Sequence, residues 1–151
     1  MRVTASYKYY VTSSLPDECP QRVLNLNPWI LSYVSKGTFK AKQGDKSLFF
    51  TSGDVQLFPL QILGTFDLQE VQVAGAQEKE IISLFIFPKF LKNLTHNFPE
   101  FGEVVAHIQH VSGLVRYDAL PASRIIEKLE SMRPLSAAER IPVLLDILCL
   151  L

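Results

Sequence analysis

With 151 residues, 48 % of them hydrophobic and 20 % charged, the chain has the length and balance of one globular domain with its own core, which excludes a disordered tail and a disulfide scaffold. Fifteen Lys and Arg against fifteen Asp and Glu leave no net charge, so no global field attracts a polyphosphate backbone and this segment alone is expected to be a poor nucleic-acid binder. Cys19 and Cys149 lie outside any CxxC or Cys/His spacing, and no apolar run has the length of a signal peptide or a membrane span, so a reducing, cytoplasmic setting is expected.

From Val3 to Val11, apolar and aromatic residues alternate with polar ones, the period-two pattern of a half-buried strand. The loop LPDECPQ follows, and Trp29 to Ser35 then supplies β-branched and aromatic residues up to the Lys36-Gly37 break. Next come TFKAK, the turn QGDK, SLFFT, the turn SGD and VQLFP, short strands joined by Gly/Asp turns that favour tight hairpins. FDLQEVQV and, past AGAQEKE, IISLFIF bring the count to about seven or eight strands before residue 88, which predicts an antiparallel sandwich or a closed barrel without exposed edges.

At Pro88 the apolar spacing changes from alternating to helical. Pro99 introduces EFGEVVAHIQHVS, with Phe101, Val104, Val105, Ile108 and Val111 on one face and Gly113 placed as a helix stop. Pro121 precedes ASRIIEKLESMR, striped by Ile125, Ile126, Leu129 and Met132. Ser136 and Glu139 form an S-x-x-E capping box ahead of IPVLLDILCLL, and a helix starting near Glu139 would put Pro142 in its first turn. That last helix has neither a Gly stop nor basic residues in its final turn, so the natural protein is expected to continue. The fold class is therefore α+β, with a β-barrel over 1–87 and helices over 88–151 packed as one domain.

The ordered set WILSYVSKGTF, SGDVQLFP, FPEFGEVVAHIQHVSGLVRY and ERIPVLLDILCLL resembles the amino-terminal region of bacterial AraC/XylS-family transcription regulators. The resemblance implies a cupin-like, jelly-roll type of barrel that binds a small effector, helices that pair two copies, and a carboxy-terminal pair of helix-turn-helix motifs that reads DNA. No major-groove reader with clustered Arg and Lys occurs before Leu151, so DNA would be reached only through that further domain. Metal-dependent cupins carry two His and a Glu before their first Gly and a third His after the Gly-Asp strand. Here the matching stretches, NLNPWILSYVSKG and GDVQLFPLQILG, contain no His, Cys or Glu, so no metal is expected.

Catalytic residues are not expected either. His107 and His110 share a helix spacing but have no acidic or thiol companion, Glu100 and Glu103 suit a helix start, and neither a G-x-S-x-G elbow nor a phosphate loop is present. No cofactor follows. The aromatic density of the strands nominates an apolar effector pocket of Trp29, Tyr33, Phe39, Phe50, Phe58 and Phe66, with Gln56 or Ser32 as polar handles, although simple core packing is the better account of any one of them. Ile125, Ile126, Leu129, Leu144, Leu145 and Leu148 are candidates for a homodimer interface, or for packing against the barrel. The resulting reading is a non-enzymatic regulatory domain. A small cupin enzyme, an isomerase or dioxygenase, is the alternative, and a regulator domain controlled by a protein partner is a third.

Overall fold

In the computed structural model the described residues are 5–11, 27–65, 67–70 and 79–151. The alternation in the amino-terminal half produces strands β1 (Ala5–Val11), β2 (Trp29–Lys36), β3 (Thr38–Gln43), β4 (Lys46–Thr51), β5 (Val55–Pro59), β6 (Asp67–Glu70) and β7 (Lys79–Ile86), with a 3₁₀ turn at Leu60–Thr65. Helices α1 (Pro88–Asn97), α2 (Gly102–Gln109), α3 (Ala119–Ser131) and α4 (Ala137–Leu150) follow. A two-residue strand, β8 (Val115–Arg116), lies between α2 and α3, where the sequence reading expected none.

The strands form two sheets, one in the order β1-β7-β2-β5-β8 and the other β4-β3-β6. Together with the helices these sheets give the expected α+β class; among the described residues they do not form a closed barrel. The chain leaves the first sheet at Gly37, whose φ of 87° breaks the extended run between β2 and β3, and β3 then pairs only with β4 and β6. The five-stranded sheet is also mixed, because β1 runs parallel to β7 at its edge. The expected hairpins are present: Gln43 pairs with Lys46 across the two-residue turn Gly44-Asp45. At Thr51–Asp54 the Asp54 N–H donates to the Thr51 carbonyl (3.0 Å), with Gly53 at a φ of 94° in the third turn position.

Both faces of the first sheet are covered, and this is why β2 and β5 read as near-continuous apolar runs. On one face Leu31, Tyr33, Leu57, Ile82 and Leu84 pack against Leu91 of α1, Ile108 of α2, Ile125 and Leu129 of α3, and Leu144 and Leu148 of α4. On the other face Ile30, Phe58, Phe85 and Phe87 form one cluster, and Val34 joins Phe39, Ala41 and Phe50 of the second sheet in another.

Prolines locate the helix starts differently from the sequence reading. Pro121 is the third residue of α3, not its predecessor, a position where no intrahelical N–H is required. Helix α4 begins at Ala137, so Pro142 is its sixth residue and not in the first turn. The Ala138 carbonyl therefore lacks its ladder donor, which is tolerable because Ala138 and Pro142 are both exposed to water. Gly113 lies beyond the end of α2, which stops at Gln109 with His110 as its cap.

The capping box at α4 is fully formed. Ser136 Oγ accepts from the Glu139 N–H (3.4 Å) and Glu139 Oε2 accepts from the Ser136 N–H (2.7 Å). Ser136→Ala is expected to destabilise the protein by about 1 kcal/mol in denaturant titration. The backbone N–H of Ser136, and then its hydroxyl, hold the Glu139 carboxyl below its ordinary value of 4.5. A depressed folded-state pKa means that this carboxylate stabilises fully above pH 4.5 and ceases to as the pH falls below it. Glu139→Gln should accordingly flatten the acid limb of the stability profile and leave the region above pH 6 comparatively parallel to wild type.

Candidate functional site

Side chains paired directly across neighbouring strands project from the same face of a sheet. Ser83 of β7 lies opposite Ser32 of β2, Ser32 opposite Gln56 of β5, and Gln56 opposite Arg116 of β8. The four residues form a polar row across the first sheet, on the face turned away from the helices. The aromatic cluster of Ile30, Phe58 and Phe85 flanks it on one side, and Val34 with the second sheet on the other.

Ser32, Gln56 and Ser83 are only 5 %, 6 % and 7 % exposed, and Gln56 Oε1 has no hydrogen-bond partner among the described residues. A buried carbonyl oxygen left unsatisfied costs about 1–3 kcal/mol, so its presence amid apolar clusters is not explained by packing. The outer end of the row is charged. Arg116 Nη2 donates to the Phe49 carbonyl of β4 (2.6 Å) and to Asp54 Oδ2 (3.3 Å), and its guanidinium stands 4.7 Å from the centre of the Phe50 ring. Asp54 is itself oriented by the Thr51 N–H (2.8 Å). Arg116 thus ties the β8 edge of one sheet to the β4 edge of the other.

Chemically the row offers hydroxyls, an amide and a guanidinium, groups suited to hydrogen-bonding a polar molecule; they include no general base and no activated nucleophile. Among the described residues no three His, Cys, Asp or Glu gather as a metal site.

Of the residues nominated from the sequence, Gln56 and Ser32 lie in the row, and Phe39, Phe50 and Phe58 in the clusters beside it. Trp29 and Tyr33 face the other way. The period of two that turns Ser32 toward the second sheet turns them toward the helices, where Trp29 Nε1 donates to the Val111 carbonyl (3.1 Å) and the Tyr33 hydroxyl donates to Glu130 Oε1. They therefore do not share a face with Ser32 and Gln56. Phe66 lies outside the described residues. Ser83 and Arg116 were missed: Ser83 had a visible signal as the polar break in IISLFIF, whereas the two-residue β8 carried none.

The nominated pairing residues are placed in the chain's own core. Ile125, Leu129, Leu144 and Leu148 are buried against the first sheet, and Ile126 and Leu145 are half-buried at the margin of that cluster. Tyr117, beside Arg116 in the chain, packs into the same cluster with an unpartnered buried hydroxyl, and burial pushes its pKa up to about 12.

No helix among the described residues is long and apolar enough to cross a membrane. No protein-family model and no curated protein matches this sequence. Among solved structures, the AraC-like transcriptional activator CuxR matches with a TM-score of 0.49 at 10 % sequence identity, over 83 % of this chain and 41 % of that one. The chain thus spans less than half the length of that protein.

Proposed function

We propose that this chain is the effector-sensing domain of a transcription regulator of the AraC type, in which a small polar molecule binds between the two sheets along the row Ser83-Ser32-Gln56-Arg116. The observation that carries the proposal is the unpartnered Gln56 Oε1 within a buried row. A ligand that satisfies the amide converts a standing penalty into binding energy. The assignment to a transcription regulator rests on the ordered resemblance in WILSYVSKGTF, SGDVQLFP and the helical segments. In this reading DNA is contacted through a separate domain, and the effector acts by binding two arrangements of the sensing domain with different affinity.

Thermal denaturation against a library of small polar metabolites tests the proposal. A true effector at a hundredfold excess over its Kd stabilises by about 2.7 kcal/mol, a shift of several degrees. The shift should vanish in Gln56→Leu, while that substitution, by removing the orphaned amide, raises the unliganded protein's own stability by roughly 1 kcal/mol. A response that is identical in wild type and Gln56→Leu, or a library without effect, would count against the row as a binding site. Pairing of two copies belongs to the same reading, and sedimentation of the isolated chain checks it: a strictly monomeric species at high concentration would argue against pairing through this region.

A further inference from the structure

Along most of α3 the helix is held to the first sheet by buried apolar residues, Ala122, Ile125 and Leu129. At its carboxy-terminal end the contact changes character. Glu80 of β7, 7 % exposed and on the same side of the strand as Ile82 and Leu84, accepts from Arg133 Nη2 (2.9 Å). The same Nη2 donates to Glu130 Oε1 (3.0 Å), and Arg133 Nε lies 2.6 Å from Glu130 Oε2 as an ion pair without the geometry of a directed hydrogen bond. The Tyr33 hydroxyl of β2 donates to Glu130 Oε1. Two strands are thereby joined to the end of α3 through one continuous set of polar contacts.

Two further features mark the place. The register of β2 against β7 shifts between Val34 and Lys36, an irregularity directly beside the cluster, and Lys36 stands opposite Glu80. On the helical side, Arg140 Nε of α4 donates to the Met132 carbonyl (3.1 Å), so the turn that carries Arg133 is tied to the start of α4.

A charged joint behaves differently from an apolar one. When the contact opens, Arg133 and Glu130, with side chains 31 % and 40 % exposed, are rehydrated and the main cost falls on the buried Glu80 carboxylate, whereas several leucines would each lose their full transfer free energy on leaving the core. We infer that the Tyr33-Glu130-Arg133-Glu80 cluster is a latch, which holds the α3–α4 turn against the sheet in one state and releases it in another while the apolar part of α3 stays docked. Tyr33 follows Ser32 directly in β2, so a displacement of the strand on its inter-sheet side moves the latch on its helical side. The latch stands independently of any ligand; only its link to Ser32 rests on the function proposed above.

Native-state hydrogen exchange on the full chain, without ligand, tests the inference. Tyr33→Phe keeps the ring in the core and removes one hydroxyl. It is expected to accelerate exchange of the amides around residues 132–143 on the order of tenfold while β2, β5 and β7 keep their protection. Raising the salt concentration from about 0.1 M to about 1 M, which shortens the screening length from about 10 Å to about 3 Å, should open the same segment several-fold in the wild type. Confinement of both effects to that segment supports the latch. Acceleration spread equally over the central strands, or no acceleration under either treatment, overturns it, and the salt arm alone decides if Tyr33→Phe does not fold. Because no effector enters the experiment, its outcome is separate from whether a molecule binds between the sheets.

Discussion

Leu129→Ala is expected to lower the stability of the chain by about 3 kcal/mol, with a fall in Tm of roughly 6–12 °C. Leu129 is fully buried on α3, in one cluster with Leu57 and Leu84 of the first sheet and Leu144 and Leu148 of α4. Truncation removes its transfer free energy and leaves a cavity among neighbours that belong to three different elements and cannot all collapse together. The measurement also separates two roles for the helix stripe. If Leu129 only fills the core, the loss is the same at every protein concentration. If it holds two copies together, the variant's Tm depends on concentration more steeply than the wild type's, and sedimentation shows a weaker dimer.

Arg133→Met is expected to cost a similar amount, about 3 kcal/mol, for a different reason. Burial by itself would lower the pKa of Arg133, but hydrogen bonds and charge interactions with Glu130 and Glu80 outweigh it and hold the guanidinium above its ordinary value. Removing that cation leaves Glu80 as a buried carboxylate without the guanidinium that accompanies it, and Glu130 without its neighbour. The diagnostic is the partner substitution. Glu80→Gln in the Arg133→Met background should restore part of the loss, because it removes a buried carboxylate that has lost one of its partners. If the two losses simply add, the ion pair contributes nothing and Arg133 acts through its aliphatic stem alone.

The polar row predicts the opposite sign. Most buried substitutions destabilise, yet Gln56→Leu should stabilise, because the amide it removes is unsatisfied in the unliganded chain. Stability rising as binding is lost is the pattern expected of a residue kept for recognition and not for folding. Ser83→Ala and Ser32→Ala should leave the fold intact, since the small hydroxyls sit on strands secured by their apolar neighbours Leu31, Ile82 and Leu84.

What the sequence determined by itself is everything that depends on neighbours along the chain. The period-two run became β1, the β-branched and aromatic stretches between turns became β2 to β5 and β7, the Gly/Asp turns became hairpin turns, the change of spacing at Pro88 became the start of the helices, and Ser136 with Glu139 formed the capping box that their spacing requires. Alternation also sorted Ser32 from Tyr33 onto opposite faces of β2.

Only the tertiary structure decided what those faces meet. Periodicity says which residues share a side but carries no information about the layer that covers it, so the helices could take Trp29 and Tyr33 while the second sheet took Phe39 and Phe50. The same limit hid the parallel pairing of β1 with β7, the division into two sheets and the two-residue strand at Arg116, since each depends on contacts between residues far apart in the chain. The alignment of Ser83, Ser32, Gln56 and Arg116 is a product of register across four strands, and register is set by the packing of whole faces and not by any one segment.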